Sequence, residues 1–435
     1  MLPPRLAWGT IDAKADGRAS AWGFLAACQQ QGIVPQRFHS QAFVQSHDPV
    51  HVASRGLRYL DSWLHGPGDC LRLFREGMNG AQLGFVTGAW NNPGLTGLSQ
   101  WLDLPRIVVV DVADHAPCLL PAVEQFDGVW LQGINSLAEL AHWEANLAAI
   151  SKTPIIGWQY RGCVASCNST REPVPGLTGR ELLDFANHHW RPSVHWNKLW
   201  EVANRRAKIT QQTAEPAVRK TFPVEELGSL RIAIAFDEAF SGYFPESLAA
   251  LQQAGATLID FSPLRNDCLP REIDLVYFGD GNLGPHLRKL AENHCLRLRL
   301  RAFVQNGGRA IVEGRAAAYF CRTASSSAEG TFPLAGIFPL DASQADASNL
   351  QRAETKLAEE CWLGPAATDI AGYQLPEFRY SDHQEPSVRI EEGVIALPCS
   401  VPWHARRDLM RRIFRPLVVQ SSSLAGTVSV GDSNR

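Results

Sequence analysis

The sequence lacks both a long hydrophobic run and a surplus of either charge. No stretch approaches the roughly 18 uninterrupted apolar residues of a membrane-spanning helix, and Met1–Trp8 lacks the apolar core of a signal peptide. Lys and Arg number 41 against 44 for Asp and Glu, which gives a net charge of −3. This balance disfavours a nucleic-acid binder. We therefore predict a cytoplasmic protein with no membrane and no nucleic-acid partner.

The ten cysteines lack a repeating spacing. Because disulfides are rare in the cytoplasm, we expect these cysteines to be reduced and mostly buried. Cys163 and Cys167 lie close together in a polar stretch, yet no second Cys or His pair follows at a finger-like spacing. We therefore do not predict a metal site at this pair.

A length of 435 residues exceeds that of one ordinary hydrophobic core. In each half, short apolar runs alternate with helical patterns, which is typical of a parallel, doubly wound α/β sheet. A polar, charged stretch separates the halves, and a small, polar tail follows the second. We predict one domain at residues 1–204, a linker at 205–229, a second domain at 230–415 and a disordered tail at 416–435.

Strands are predicted where apolar and β-branched residues form short runs, and helices where apolar positions recur every three or four residues. The predicted strands are Leu83–Val86, Arg106–Val112, Gly128–Leu131, Pro154–Trp158, Leu230–Phe236, Thr257–Phe261, Leu275–Phe278 and Ala310–Val312. The predicted helices are Ala21–Gln30, Cys70–Met78, Glu246–Ala254 and Leu287–Asn306. The small, polar run Arg322–Gly330 is predicted to be a loop.

The most informative segment is Arg231–Arg265. Its first strand ends in the run DEAF at 237–240, the aromatic turn YFPE follows at 243–246, and its second strand ends in FSPL at 261–264. This series resembles the opening of the amidotransferase domain in the cobyrinic acid a,c-diamide synthase family, which reads A-x-D-E-A-F-x-F-Y-Y-P-E-N-L and later F-S-P-L. We expect Asp237, Glu238 and Tyr243 to fix the turn through hydrogen bonds.

The first half resembles the same family through Asp48, His51 and the run Leu60–Trp63. The resemblance spans roughly residues 5–415. It implies an N-terminal P-loop, dethiobiotin-synthetase-like domain that binds ATP and Mg²⁺ and activates tetrapyrrole carboxylates. It also implies a C-terminal class I glutamine-amidotransferase-like domain that releases ammonia from glutamine. Asp48, His51 and Asp61 are the implied substrate-side residues.

The family's phosphate loop, G-T-x-S-G-x-G-K-T-T, is altered in this chain. The matching stretch, residues 9–20, reads GTIDAKADGRAS. Two loop glycines are missing, and Asp12 and Asp16 place negative charge where the N-terminus of a helix should meet an anion. Lys14 offers a replacement cation. The remaining candidate nucleotide-binding residues are Gly9, Thr10, Gly17, Arg18 and Ser20.

The family's metal and substrate side chains are also altered. Thr87 stands where the family has a glutamate for Mg²⁺, and a neutral hydroxyl is a poor primary ligand for that cation. Asp111, at the end of the run RIVVVDV, matches a strand-end aspartate of the family and stays a candidate ligand. The family's substrate-side lysine is replaced by His39.

Glutaminase chemistry needs a cysteine on a tight turn between a strand and a helix. The family has A-E-C-G-G-L-M-Y-L there, and this chain has VEGRAAAYF at 312–320. Gly314 takes the place of the cysteine, Arg315 replaces a neighbouring glycine, and Glu313 remains. Cys321 lies about two helical turns further on and cannot substitute.

The general base of the family lies in the run S-Y-L-H-L-H. The matching run here is CSVPWH at 399–404, in which Pro402 occupies the base position and His404 remains. The family's oxyanion-side loop G-G-G-Y-P-E corresponds to GDGNLG at 279–284. Without a thiolate and a base, an acyl-enzyme route is closed. By its motifs the chain therefore resembles a degenerate member of that family.

Four tryptophans cluster near the end of the first predicted domain, at Trp158, Trp190, Trp196 and Trp200. Indole rings pack well in a core and also stack on flat ligands. We prefer packing for most of them, and we keep a groove lined by these four as the alternative.

Three functions remain open. The first is a non-catalytic member that binds a tetrapyrrole or a partner, as a homodimer or in complex with an active family member. The second is an ATP-dependent amide ligase that uses ammonia or a partner's glutaminase. The third is a full cobyrinate or sirohaem a,c-diamide synthase. Because four chemical elements are altered together, the residues favour the first, and the cofactor stays open between none and the family's ATP and Mg²⁺.

Overall fold

The computed structural model describes residues 3–11, 15–42, 56–112, 123–161, 183–205, 229–265, 267–327, 330–345, 349–382 and 387–415. The interpretations placed on Asp12, Lys14, Asp48, His51, Cys163 and Cys167 lie outside these ranges, as do nearly the whole predicted linker and the tail. The domain limits therefore stay a prediction.

The first half builds a mostly parallel sheet. Its strands are β1 (Arg5–Thr10), β2 (Pro35–His39), β3 (Arg58–Tyr59), β4 (Leu83–Ala89), β5 (Arg106–Asp111), β6 (Gly128–Ile134), β7 (Ile155–Tyr160) and β8 (Ser193–Val194). Within the described ranges they lie in the order β3-β2-β4-β1-β5-β6-β7-β8. Neighbours are parallel except β7 and β8, which are antiparallel.

Helices cover both faces of this sheet. They are α1 (Gly17–Gln30), α2 (Pro67–Gly77), α3 (Pro93–Trp101), α4 (Leu137–Ile150) and α5 (Trp196–Asn204). The apolar sides of α1 and α5 pack on one face with Trp8 and Trp130, and those of α2, α3 and α4 pack on the other. This arrangement confirms the mixed α/β prediction for the first half.

The second half has a parallel sheet with one antiparallel edge. Its strands are β9 (Leu230–Ala235), β10 (Ala256–Phe261), β11 (Leu275–Phe278), β12 (Arg309–Glu313), β13 (Cys321–Ser326), β14 (Gly330–Pro333), β15 (Phe338–Gln344), β16 (Gln351–Lys356), β17 (Asp369–Gln374), β18 (Phe378–Tyr380), β19 (Arg389–Glu391) and β20 (Val394–Leu397). The described strands form a main sheet β10-β9-β11-β12-β20-β19, a smaller sheet β14-β13-β15-β18 and the pair β16-β17. Only β19 runs antiparallel in the described part of the main sheet.

The helices of the second half also lie on two faces of the main sheet. They are α6 (Pro245–Gln253), α7 (Leu287–Glu292), α8 (His294–Gln305) and α9 (Arg407–Ile413). The buried leucines of α7 and α8 join one apolar cluster, and those of α6 and α9 join the other. None of the helices in the described ranges has the length and apolar character needed to cross a bilayer.

Two local predictions were wrong. Arg322–Gly330 is largely strand, since β13 and β14 pair antiparallel and β13 buries Ala324 and Ser326 within a run of small residues that reads as a loop. The predicted helix Leu287–Asn306 is broken at Asn293, whose side chain accepts a hydrogen bond from Leu296 N–H at 3.0 Å and starts α8.

The cysteine prediction was partly wrong. Cys268 and Cys295, both exposed, form a disulfide across a sequence separation of 27 residues. Their exposure leaves the bond open to thiol exchange. The described free cysteines are buried, apart from the half-buried Cys361, as expected.

The hypothesis of a single tryptophan groove was wrong. Trp158 belongs to the apolar cluster on the α2–α4 face, whereas Trp190, Trp196 and Trp200 pack on the opposite face. The side chain of Trp158 on β7 thus lies on the sheet face opposite the other three. Packing is the role of Trp158 and Trp190, which are both buried.

Candidate functional site

The turn after β12 has the backbone that a nucleophile position requires. β12 ends at Glu313, a 3₁₀ helix begins at Gly314, and Gly314 adopts φ +55°. Nucleophiles of hydrolases stand on such a strained strand-to-helix turn. A Cβ atom added at Gly314 would lie 2.6 Å from Oδ1 of Asp280. Any side chain at this position would therefore collide with the Asp280 carboxylate.

A buried ion cluster fills the space beside Gly314. The Arg315 guanidinium donates from Nε and Nη2 to the two oxygens of Asp280, each at 3.0 Å, and from Nη1 to Glu377 at 2.9 Å. Gln344 donates to the other Glu377 oxygen at 2.8 Å. The geometry is bidentate, which makes it strong and directional. We call Asp280, Arg315 and Glu377 the ion cluster.

The ion cluster also occupies a backbone donor. Arg315 N–H donates to Oδ1 of Asp280 at 2.8 Å. In hydrolases with this turn, the N–H of the residue after the nucleophile stabilises the oxyanion. Burial alone would lower the pKa of Arg315, but the carboxylates of Asp280 and Glu377 raise it. The cluster is thus a charged pairing that holds a carboxylate where an oxyanion would form.

Glu313 is engaged in a buried network. Its carboxyl group accepts hydrogen bonds from Tyr277 Oη at 3.0 Å and from Val401 N–H at 3.2 Å. Trp403 Nε1 donates to Tyr277 Oη at 3.1 Å. Burial raises the pKa of Glu313 well above its usual range. Glu313 therefore ties β12 to the 401–403 segment, which is a structural task.

His404 does not stand free at the site. Its Nδ1 lies 3.0 Å from Ser247 Oγ, and its Nε2 lies 2.8 Å from Nε2 of His65. Burial, with His65 and Arg72 nearby, lowers the pKa of His404 well below its usual value. Pro402, at the predicted base position, has no ionisable side chain. The sequence reasoning missed His65, because the two histidines are 339 residues apart.

The small cleft at the ion cluster has little room. Its volume is about 40 Å³, and its lining includes Gly314, Arg315, Glu377 and Arg389. Ligand pockets typically measure about 300–1,000 Å³. A volume of this size has room for a few water molecules.

At the end of the predicted phosphate loop, the Asp16 side chain caps the start of α1. The Asp16 carboxylate accepts hydrogen bonds from Arg18 N–H and Ala19 N–H, each at 2.9 Å, at the start of α1. Gly17 opens that helix. Ser20 is buried, where its Oγ accepts from Trp8 Nε1 at 3.0 Å. Two N–H groups at the start of α1 that could face a phosphate are therefore already paired.

The other predicted nucleotide and metal residues lie at the carboxyl ends of parallel strands. Thr10 ends β1 and Asp111 ends β5, and Gly9 is packed so tightly that an added Cβ would lie 2.6 Å from Leu95. Thr87 is buried and donates to the Phe38 carbonyl at 3.0 Å. In the described ranges, no three His, Cys, Asp or Glu residues are arranged to hold a metal.

Asp61 is the substrate-side candidate that the described ranges contain. It is buried and accepts hydrogen bonds from Ala42 N–H at 2.9 Å and Trp63 N–H at 2.9 Å. Tyr373 Oη, from the second half, donates to it at 2.7 Å. Asp61 thus lies at a contact between the two halves of the chain.

The turn of the DEAF run confirms its predicted role. Asp237 Oδ1 accepts from Ala239 N–H at 2.9 Å, while Oδ2 accepts from Ser262 Oγ at 3.0 Å and Leu264 N–H at 2.8 Å. Tyr243 Oη accepts from Gly279 N–H at 2.9 Å. These bonds join the DEAF and FSPL runs and position the loop that carries Asp280.

Comparison with known proteins gives a consistent relationship. No protein-family model matches the chain. A cobyrinate a,c-diamide synthase of Syntrophotalea carbinolica is 26% identical over 411 residues, covering 88% of this chain and 87% of the relative. The Limosilactobacillus reuteri protein of that name is 24% identical over 406 residues, 86% of each chain. The Dehalococcoides mccartyi protein of that name is 23% identical over 303 residues, 64% of this chain and 65% of the relative.

The chain is thus similar over most of its length to cobyrinate a,c-diamide synthases. Among solved structures, a glutamine amidotransferase matches 42% of this chain and 98% of that chain, at 13% identity and a TM-score of 0.30. The signal recognition particle receptor FtsY of Elizabethkingia anophelis matches 42% and 64%, at 8% identity and a TM-score of 0.27. At these low TM-scores, the relationship to known proteins depends on the sequence matches alone.

Proposed function

We propose that this chain is a non-catalytic member of its family that serves tetrapyrrole side-chain amidation as a binding or partner subunit. In this proposal it keeps an N-terminal P-loop, dethiobiotin-synthetase-like domain and a C-terminal class I glutamine-amidotransferase-like domain. The curated relatives are named for the a,c-diamidation of cobyrinate, which supports a tetrapyrrole as the ligand class.

The Asp280 carboxylate beside Gly314 is the observation that carries the proposal. The Cβ atom of a cysteine at position 314 would lie 2.6 Å from Oδ1 of this carboxylate, and the adjacent N–H donor is already bonded to it. A negative group in an oxyanion site opposes the charge that develops in acyl transfer. The turn that lacks the cysteine is therefore filled by the paired side chains of Asp280 and Arg315.

The phosphate loop supports the same proposal. Asp16 fills the N-terminus of α1, and a carboxylate at that position repels the phosphates that the family binds there. Ser20, buried against Trp8, is turned into the core.

A glutaminase assay tests the proposal. We expect no glutamate release from glutamine by the wild-type protein or by Gly314→Cys, because Asp280 still occupies the turn; the Syntrophotalea carbinolica relative serves as the positive control. Titration with ATP and Mg²⁺ by calorimetry should give no saturable heat. Glutamate release by the wild type would overturn the proposal. Micromolar ATP binding would instead favour the ammonia-dependent ligase.

A further inference from the structure

The two halves of the chain touch through a polar seam, which we define as Asp61, His65, Ser247, Tyr373 and His404. The imidazole rings of His65 and His404 meet edge to edge with centroids 5.0 Å apart, and both are buried. Tyr373 bonds to Asp61. These residues come from the turn before α2, the first turn of α6, β17 and the segment before α9. The seam is thus a contact between distant parts of the sequence.

Hydrogen-bond partners fix the protonation of the histidine pair. The Asp61 carbonyl can only accept, so His65 Nδ1, 3.1 Å away, must carry a hydrogen. A neutral His65 then accepts at Nε2, and His404 Nε2 must be the donor across 2.8 Å. Ser247 Oγ consequently donates to His404 Nδ1 at 3.0 Å. All three hydrogen bonds in the series Asp61–His65–His404–Ser247 are satisfied when both imidazoles are neutral.

The pair tolerates one proton and excludes a second. A proton on His404 Nδ1 is accommodated because the Ser247 hydroxyl can rotate to accept. A second proton, on His65 Nε2, would place two N–H groups face to face at the 2.8 Å contact. Two adjacent positive charges in a buried site are strongly unfavourable. The contact is therefore incompatible with full protonation.

Charged groups around the two histidines only partly offset the cost of protonating both rings. Burial lowers the pKa of His65, whereas Asp61 and Asp69 act to raise it and Arg72 acts to lower it. Burial and the neighbouring His65 and Arg72 lower the pKa of His404. When the seam opens, the pKa of each imidazole returns to its ordinary value of about 6.5. The open state therefore binds more protons below that pH, and linkage favours opening as the pH falls.

We propose that the His65–His404 contact is a proton-released clasp between the two halves of the chain. The seam stays closed around neutral imidazoles and opens when both take up protons. This inference does not depend on the proposed function, since opening is measurable without substrate or nucleotide.

Glu246, on α6 beside Ser247, acts in the opposite sense. Its carboxyl group is buried, neither oxygen accepts a hydrogen bond from the described residues, and Arg58 Nη1 lies 3.7 Å away. Burial raises the pKa of Glu246 to about 7. Between about pH 7 and 4.5, the closed seam therefore holds one proton that an ordinary exposed Glu releases. Replacing Glu246 by Gln removes this opposing proton and isolates the histidine effect.

Hydrogen exchange of the full chain, followed by mass spectrometry from about pH 8 to about pH 5, tests the clasp. After correction for intrinsic exchange, opening of peptides over 57–65 and 401–404 should rise about tenfold per pH unit for each proton gained. The rise in opening with falling pH should be steeper in Glu246→Gln. In His404→Gln it should be shallower, by the roughly tenfold per pH unit that one proton contributes. A matched control, His195→Gln, removes a half-exposed histidine outside the seam and should leave the wild-type slope.

A second measurement does not require a histidine variant to fold. Nitrogen-15 NMR of the wild-type imidazoles should show His65 as the Nδ1–H tautomer and His404 as the Nε2–H tautomer at neutral pH. The proposal is overturned if either ring is charged at neutral pH. It is also overturned if wild-type exchange at the seam is independent of pH, or if His404→Gln keeps the full wild-type slope.

Discussion

The ion cluster and the seam differ in what happened to the residues of the family's motifs. At the ion cluster, the positions that the resemblance assigns to a cysteine and a glycine hold Gly314 and Arg315, and new charges fill the turn. At the seam, Asp61 and His404, which match the family's runs, form buried bonds between the halves. The altered motif positions therefore hold the ion cluster, whereas the matching positions at the seam join the two halves of the chain.

The largest expected effect comes from breaking the ion cluster. Arg315→Met leaves the buried Asp280 and Glu377 carboxylates without a cation, and such a loss costs about 3–5 kcal/mol of unfolding free energy. Urea denaturation measures it. The matched control is Arg322→Met, since Arg322 pairs with Asp341 on the surface and such pairs contribute at most about 1 kcal/mol.

The comparison would be broken if both arginine variants lost the same small amount of stability. In that event the charges at the turn would be solvated and would contribute little to the free energy of unfolding. Adding Asp280→Asn and Glu377→Gln to Arg315→Met should recover much of the loss, because no buried charge then lacks a partner.

The next effect concerns the cost in stability of burying Glu246, which lies beside the seam residue Ser247. Glu246 has a raised pKa of about 7, so its folded state favours the proton. The penalty is absent below the ordinary pKa, grows as the pH rises from about 4.5 to about 7, and is then complete. Glu246→Gln should therefore stabilise the protein by on the order of 1–3 kcal/mol at about pH 8 and by nothing at about pH 4.

Thermal or urea unfolding at the two pH values checks this, and Glu76→Gln on the exposed side of α2 is the control. An equal effect at both pH values would show that Glu246 keeps an ordinary pKa. Burial of the Glu246 carboxyl group would then carry no cost in stability at neutral pH.

The sequence was sufficient for what local pattern determines. Runs of β-branched residues predicted the buried strands β5 and β9, and the position of Asp237 after a strand predicted a turn held by its side chain. The absence of a cysteine at position 314 was also apparent from the sequence, because a single residue decides whether a thiolate is present. These predictions each depend on residues that are neighbours in the chain.

What replaced the lost chemistry was not visible. Asp280 bonds to Arg315 over a separation of 35 residues, Glu377 over 62, and His65 meets His404 over 339. No local period or motif reports such partners, and an aspartate between two glycines reads as an ordinary loop residue. Only the fold shows that Asp280 enters the turn rather than facing water.

The smallest effect tests whether the seam is held by one bond or by many. Tyr373→Phe removes the hydroxyl that donates to Asp61 at 2.7 Å and keeps the ring that packs on Trp63. Asp61 retains its bonds from Ala42 and Trp63, so the loss should be about 1 kcal/mol by urea unfolding. A loss of several kcal/mol would mean that Asp61 depends on Tyr373 for its burial, and the seam would then be as sensitive to a single partner as the ion cluster is to Arg315.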